Sequence, residues 1–298
     1  VSLQHVISLI SPGMFLASID LLDAYLHIPM HPSSQKFLRF FALGHHYQFC
    51  VLPFGLSFAP RVFTKTLATL VGNLHSLGLS VYPYLDNWLI ASSSFVECQK
   101  AVQLVCHCLA THGFLLNSKK SHLLPSQELQ SIGALFNTFV GRVFFPPDCQ
   151  IKLRTHLLHL LTCQTAPARD WLRVQGEMSA AIFLVPWARL HLYHLVCHLL
   201  SHWNPSTENY DHSLTITPRV SQQRQCWLVP AHLSIGVLLS PPPPVTVTTD
   251  AIRLGWGATR DIHSVQGLWT ELKCSRSSNW KELVAVSKAL VSFAPQIV

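Results

Sequence analysis

The 298-residue sequence predicts an α+β fold in which strands and helices pack as mixed layers. Three stretches predict it. "MFLASIDLL" (14–22) is a short apolar run beside an acid, the pattern of a buried strand. "VYPYLDNWLIASS" carries two apolar arms around a polar tip, which reads as a hairpin. "FVECQKAVQLVCHCLATHG" spaces apolar residues three and four apart and ends on Gly113, a helix with its C-terminal stop.

The elements follow in order. The first strand delivers Asp20 at its end. "HHYQFCVLPFGLSFAP" supplies a second strand and a Pro-Phe-Gly turn, and a helix runs from about Ala59 to Leu77. The hairpin and the Gly113-terminated helix come next. From about Gln150 to His202 the pattern is helical and rich in Leu and His, whereas 204–240 reads as irregular. Pro241 to Pro244 cannot continue a helix or a central strand and is expected to be a stiff linker. "VTVTTDAIRLGWGATRD" then predicts strand, turn and strand, and "NWKELVAVSKALVSF" an amphipathic helix.

Composition narrows the function. Lys and Arg exceed Asp and Glu by 21 to 14, a net charge of +7 that suits an anionic partner. Charged residues make up only 12 %, about half the usual share, which is expected of a piece of something larger. No run reaches the ~18 uninterrupted apolar residues of a spanning helix. The best candidate, from Ala180, is broken by Pro186, Arg189 and histidines. No signal peptide pattern opens the chain, so an intracellular protein of cytoplasm or nucleus, without a membrane partner, is expected. The nine cysteines include no C-x-x-C pair and read as free thiols. Cys106 and Cys108, with His107 and His112, form the only local cluster of metal-ligand types, but on a helix the two thiols point about 200° apart.

Acids are scarce where they matter. Before Glu97 there are only Asp20, Asp23 and Asp86, all in or beside apolar strands where an unpaired carboxylate costs several kcal/mol. A divalent cation shared by Asp20 and Asp86 would offset that cost, and paired metal ions are the usual device for in-line displacement at phosphorus. The plain alternative is that Asp20 caps a turn and Asp86 initiates a hairpin.

Four motifs in order decide between them. "SIDLLDAYLHIPMHP", "YQFCVLPFGLSFAPRVFTK", "YLDN" and "GFLLNSKKS" resemble the palm motifs of reverse transcriptases, especially those of DIRS-type (tyrosine-recombinase) retrotransposons, over residues 10 to 140. The resemblance implies that Asp20 is the first catalytic metal ligand and Asp86 the first acid of the Tyr-x-Asp-Asp box, which begins at Tyr84. Asn87 then occupies the second acid's position as a degenerate residue. Asp23 matches a non-catalytic acid, solvated or capping. Tyr25 matches the aromatic gate that would collide with a ribose 2′-OH. Leu52, Pro53, Phe54 and Gly55 match the turn beneath the template and incoming nucleotide. Lys120, or Lys119 beside it, matches the lysine near the triphosphate. Lys36 and Arg39 are read as solvated surface charges that could also touch nucleic acid.

The C-terminal stretch carries a second resemblance. "TTDAIRLGWGA" followed by "SSNWKELVAVSKAL" is similar to the opening of a retroelement ribonuclease H domain, with Asp250 and Glu282 as its metal-binding acids and Trp256 as packing. The family uses further aspartates downstream, so this site is expected to be half present. The implied organisation is a reverse-transcriptase palm with partial fingers at 1–145, a helical thumb or connection and linker at 146–240, and the N-terminal part of a ribonuclease H-like α/β domain at 245–298.

These resemblances imply an RNA-directed DNA polymerase with Mg²⁺ or Mn²⁺ as cofactor. Its partners would be an RNA template, a DNA primer, RNA–DNA hybrid and deoxynucleoside triphosphates. Only nineteen residues precede Asp20, so the basic fingers clamp is expected to be absent or supplied elsewhere. The alternative expectation is a decayed, catalytically inactive remnant that at most binds nucleic acid, favoured by Asn87 and by the incomplete ribonuclease H acids.

Overall fold

A computed structural model describes residues 2–217, 227–241 and 245–297. Its contacts divide the chain into two compact units, Val1–Ser240 and Pro241–Val298.

The first unit is organised around one strand. β1 (Phe15–Asp20) is buried along nearly its whole length, because it lies inside an antiparallel sheet of order β4-β5-β1-β6. Here β4 is Ser80–Tyr84, β5 Asn87–Ser92 and β6 His122–Ser126. Side chains alternate across a strand, so β1 feeds two cores. Ala17, Ile19 and Leu21 join Trp88 and Ile90 in one core, beneath two helices. Leu16, with Leu89 and Ala91, joins the other core. Ser18 and Asp20 share the second face and are its polar continuation.

The first core is closed by α2 (Ala59–Ser76) and α3 (Phe95–Thr111). Phe63, Leu67, Leu70 and Leu74 recur at helical spacing on α2 and are buried. The helix begins with Pro60 in its first turn and ends in a Schellman motif: Leu79 N–H donates to Leu74 O and Gly78 N–H to His75 O, with Gly78 at φ +77°. α3 opens on a capping box, the Ser94 side chain accepting from Glu97 N–H. It closes on Gly113 in the same way, Phe114 N–H reaching Leu109 O.

The second core lies between the other face of the sheet, a second sheet and three helices. That sheet has the order β12-β9-β8-β7, with β7 Glu128–Ser131, β8 Ala134–Asn137, β9 Arg142–Phe144 and β12 Val237–Leu238. The helices are α4 (Pro147–Thr162), α5 (Ala168–Ala180) and α6 (Ala188–His202), which bury Leu153, Leu157, Trp171, Val174 and Leu195. The helical reading of 150–202 therefore holds apart from a short strand at Thr165–Pro167 and the stretch 181–187 between the last two helices. The irregular reading of 204–240 needs correction: it contains β11 (Ser213–Thr215), paired with β10 (Thr165–Pro167), as well as a helical turn and β12. These strands run to two or three residues, too few for an alternation pattern to show.

Near the N-terminus, β2 (Arg39–Ala42) and β3 (His45–Gln48) form a separate two-stranded ribbon. In the second unit β13 (Thr248–Ala251), β14 (Gly255–Arg260) and β15 (His263–Leu268) make an antiparallel sheet. Against it packs α7 (Ser278–Ile297), through Trp256, Ala258, Ala285, Ala289 and Phe293. The strand–turn–strand expectation missed β15, whose face pattern is mostly exposed. Residues 242–244 of the expected proline linker lie outside the described residues. Every cysteine among the described residues is a free thiol.

Candidate active site

Asp20 ends β1, and the segment after α3 is clamped onto its backbone. Asp20 N–H donates to Ser121 Oγ at 3.0 Å, Ser121 Oγ–H to Asn117 O at 2.8 Å, and Asn117 N–H to Asp20 O at 2.8 Å. This closed ring of bonds fixes the segment bearing Lys120 against the end of β1. Burial and the Asp86 carboxylate hold the Asp20 carboxyl above the usual carboxylate range, while Lys120 and a side-chain bond from Asn117 pull it back. The lysine that acts on Asp20 is thus Lys120 rather than its neighbour Lys119.

Asp86 sits in the two-residue turn of the β4–β5 hairpin, where Tyr84 pairs with Asn87. Leu85 takes φ +55°, a left-handed conformation that costs a branched residue about 1–3 kcal/mol. The turn is locked from the other side, because Leu21 N–H donates to Asp86 O at 2.8 Å. The Asp86 side chain is exposed at the tip, and Tyr84 is half-exposed behind it.

Asn87 is the cross-strand partner of Asp20 in the β1–β5 register. Directly paired residues place their Cβ atoms on one face about 5 Å apart. The Asn87 amide is already engaged: Ser131 Oγ–H, at the end of β7, donates to Asn87 Oδ1 at 2.8 Å.

Tyr25 lies on a 3₁₀ turn, Ala24–His27, after β1. Its ring packs on Phe54 at 5.0 Å and on Phe63 at 5.2 Å. Burial first, and Asp86 second, push its phenol above the ordinary value, so the hydroxyl lies within reach of the Asp86 charge. Phe54 is exposed at the head of the turn, and Gly55 takes φ +91°. A Cβ on Gly55 would meet nothing within 4 Å, so the glycine serves the backbone conformation and not close packing. Leu52 and Pro53 are buried beneath. Asp23 occupies the N-cap position at φ +46° but makes no side-chain cap bond, so it is a solvated acid.

Asp20, Asp86, Asn87, Lys120, Tyr25 and the 52–55 turn are therefore brought to one end of the sheet. Two like-charged carboxylates there, one of them destabilised by the other, suit a divalent cation. Asn87 brings no charge, and its amide oxygen accepts from Ser131. Among the described residues no group of three or more His, Cys, Asp and Glu converges as a metal site.

In the second unit, Asp250 pairs with Gly257, and Trp256 is buried in the core. Alternation puts Asp250 on the sheet face of Gly257 and Gln266, opposite the face of Trp256 and Ala258 that α7 covers. Glu282 is half-buried on α7. Among the described residues no hydrogen bond or ion pair joins the two acids. Lys36 stacks over Phe37 at 5.1 Å, and Arg39 Nε donates to Gln48 Oε1 at 3.2 Å.

Three partners of the site escaped sequence reasoning. Asn117 and Ser121 flank the lysines in "NSKKS", so their Asx-type spacing was visible although their target was not. Ser131 offered only a small polar residue in an alternating strand.

Comparison with known proteins bears on the family and the fold. The family model described as reverse transcriptase (RNA-dependent DNA polymerase) matches residues 5–136. The Gag-Pro-Pol polyprotein of Human T-cell leukemia virus 2 is 25% identical over 218 residues, covering 68% of this chain and 13% of the polyprotein. The Gag-Pol polyprotein of Walleye dermal sarcoma virus is 31% identical over 146 residues, 47% of this chain and 8% of the polyprotein. The retrovirus-related Pol polyprotein from transposon opus of Drosophila melanogaster is 28% identical over 113 residues, 38% of this chain and 11% of that protein. Residues 5–136 thus match the reverse transcriptase model and the chain is similar to retroviral and retrotransposon Pol polyproteins, of whose length it spans a small fraction. The foamy viral protease-reverse transcriptase, solved in complexes with double-stranded DNA and with RNA/DNA hybrid, shares the fold. TM-scores are 0.64 and 0.63 at 17% identity, covering 96% and 94% of this chain and 48% and 37% of the solved ones. Among the described residues no helix is long and apolar enough to cross a membrane.

Proposed function

We propose that this chain is the polymerase part of a retroelement RNA-directed DNA polymerase, followed by the opening of a ribonuclease H-like domain. The observation that carries the reading is the pair of carboxylates, Asp20 and Asp86, set at the head of adjoining strands with Lys120 beside them. In the reaction a primer 3′-OH attacks the α-phosphorus of a deoxynucleoside triphosphate; the bond to the bridging oxygen breaks and pyrophosphate leaves. Asp20 and Asp86 would hold Mg²⁺ or Mn²⁺, which when bound supplies Lewis-acid stabilisation to the reacting oxygens. Lys120 presents an ammonium to the leaving pyrophosphate. Tyr25, braced by Phe54 and Phe63, takes the sugar edge and disfavours a ribose 2′-OH. The Leu52–Gly55 turn supports template and nucleotide.

The duplex partners of this reading are an RNA template and DNA primer, supported by the shared fold with an enzyme solved on such nucleic acids. The net charge of +7 would make that binding fall with salt. The DIRS-type affinity and the ribonuclease H roles of Asp250 and Glu282 rest on motif likeness.

One observation favours a second reading. Asn87 replaces a charge with an amide tied to Ser131, which suits an inactive relic that retains nucleic-acid binding. Primer extension on a poly-ribonucleotide template separates the two. Cation-dependent synthesis that disappears in Asp20→Ala supports the polymerase. Salt-sensitive duplex binding without synthesis supports the relic.

A further inference from the structure

We propose that the pocket between the start of α6 and the 227–235 segment takes one unpaired pyrimidine base of a single strand, DNA or RNA. The pocket shares no residue with the palm site, so the inference goes beyond the polymerase reading and applies to the relic as well.

Size and wall chemistry limit the ligand. The cavity is about 170 Å³ and is lined by Val185, Trp187, His191, Trp227, Leu233 and Ile235, among others. An apolar cavity of about 150 Å³ takes one benzene ring, and drug-sized ligands need about 300 Å³ or more. One six-membered ring therefore seats inside, while its sugar and phosphate stay out. Two indoles and an imidazole in the wall give such a ring aromatic partners to stack on.

The same wall carries unmet polar groups. Trp227 is 2 % exposed and its Nε1 is buried without a hydrogen-bond partner, and so is Nδ1 of His191. An indole N–H only donates, and a neutral imidazole accepts at the nitrogen that lacks a proton. A hydrocarbon ligand would leave both unmet. Every pyrimidine base sets an acceptor beside an N–H donor on its pairing edge, which complements the two.

The surroundings suit a phosphate backbone. No acid lies between Glu177 and Glu208 or between Asp211 and Asp250, the two stretches that build the wall, and Arg189 is exposed at the start of α6. The pocket is also formed in advance. Arg142 Nη1 donates to Ile235 O at 2.9 Å, and Leu233 is fully buried in the second core. Trp187, 76 % exposed at the rim, takes φ +66°, a left-handed conformation that a bulky residue keeps only where its surroundings impose it.

The test uses the whole chain with EDTA, so that no divalent cation acts, and a short abasic strand carrying one central base. Fluorescence anisotropy should find thymine on DNA, or uracil on RNA, bound about tenfold tighter than the bare abasic strand. Adenine, with two rings, should gain less. Difluorotoluene keeps the shape of thymine without its hydrogen bonds and should bind about tenfold more weakly than thymine. Trp227→Phe keeps an aromatic ring without the N–H, and should bring thymine and difluorotoluene within about threefold of each other. A merely structural indole would shift both probes together. Where Trp227→Phe does not fold, Trp187→Ala decides, with thymine binding expected to fall about tenfold. Equal binding of the thymine and abasic strands, adenine preferred to thymine, an unchanged ratio of thymine to difluorotoluene in folded Trp227→Phe, or unchanged thymine binding in Trp187→Ala overturns the proposal. Primer extension is read apart: absent synthesis defeats the polymerase reading and leaves the pocket standing.

Discussion

Asp20 and Asn87 face each other as direct cross-strand partners on β1 and β5. Asp20 thus faces an amide at the position where the Tyr-x-Asp-Asp pattern would set its second carboxylate. In the proposed polymerase, activity turns on what the missing charge is worth.

Restoring it gives the first prediction. Asn87→Asp keeps the side-chain shape, and Ser131 can donate to a carboxylate as well as to an amide. Synthesis on a poly-ribonucleotide template should rise by about tenfold or more, the usual worth of a group that tunes a metal site. Equal rates for the two chains would mean that the limit lies outside this position.

Asp20 gives a stability test with a definite sign. Its carboxyl titrates above the ordinary 3.8 because of burial and Asp86, so the folded state binds this proton more tightly than the unfolded chain does. Stability therefore falls as pH rises from 3.8 through the folded value, and the full cost applies above it. Asp20→Asn removes that cost. The variant should melt higher than the parent at neutral pH, match it near about pH 3, where both side chains are neutral, and make no DNA. Added Mg²⁺ should raise the melting temperature of the parent only. A variant that melts lower at neutral pH would contradict the strained carboxylate pair.

Tyr25 separates packing from selection. Its ring contacts Phe54 and Phe63, while burial and the Asp86 charge raise its phenol above the ordinary value. Tyr25→Phe keeps the ring and should keep the preference for deoxynucleotides. Tyr25→Ala removes the wall and should lower that preference by about tenfold to a hundredfold, the worth of a steric contact in a pocket. Competition between a ribonucleotide and its deoxy counterpart in single-nucleotide extension measures it.

Much of this site was legible because its residues break local rules. Asp20 is an acid at the end of a buried strand, and Asp86 an acid at a hairpin tip; both stand out against apolar neighbours. The helices were legible from period and stops, with Gly78 and Gly113 marking the two Schellman ends. Ser131 was not legible, because its partner lies 44 residues away in sequence and the turn that presents it places isoleucine where asparagine or glycine is expected. The strands β7 to β9 were likewise hidden, being three or four residues each and determined by tertiary pairing.

The second unit supplies the last prediction, which concerns the packing that presents Asp250. A Cβ on Gly267 would lie 2.6 Å from Trp256 Nε1 and 3.1 Å from its Cε2, closer than side chains pack. That indole has little room to move: Ala285, Ala289 and Phe293 share its core, and Lys288 Nζ lies over its ring at 5.3 Å. Gly267→Ala must therefore displace β15 or turn the Trp256 ring out of its core, at a cost of about 1–3 kcal/mol for overpacking. Gly257, the partner of Asp250, is the matched control, since a Cβ there meets its nearest neighbour only at 4.0 Å. Gly257→Ala should change stability by less than about 0.5 kcal/mol. Amide hydrogen exchange across β14 and β15 reads both variants in the intact chain: faster exchange for Gly267→Ala alone is expected, and equal protection in the two would mean that Trp256 does not constrain the strand that faces it.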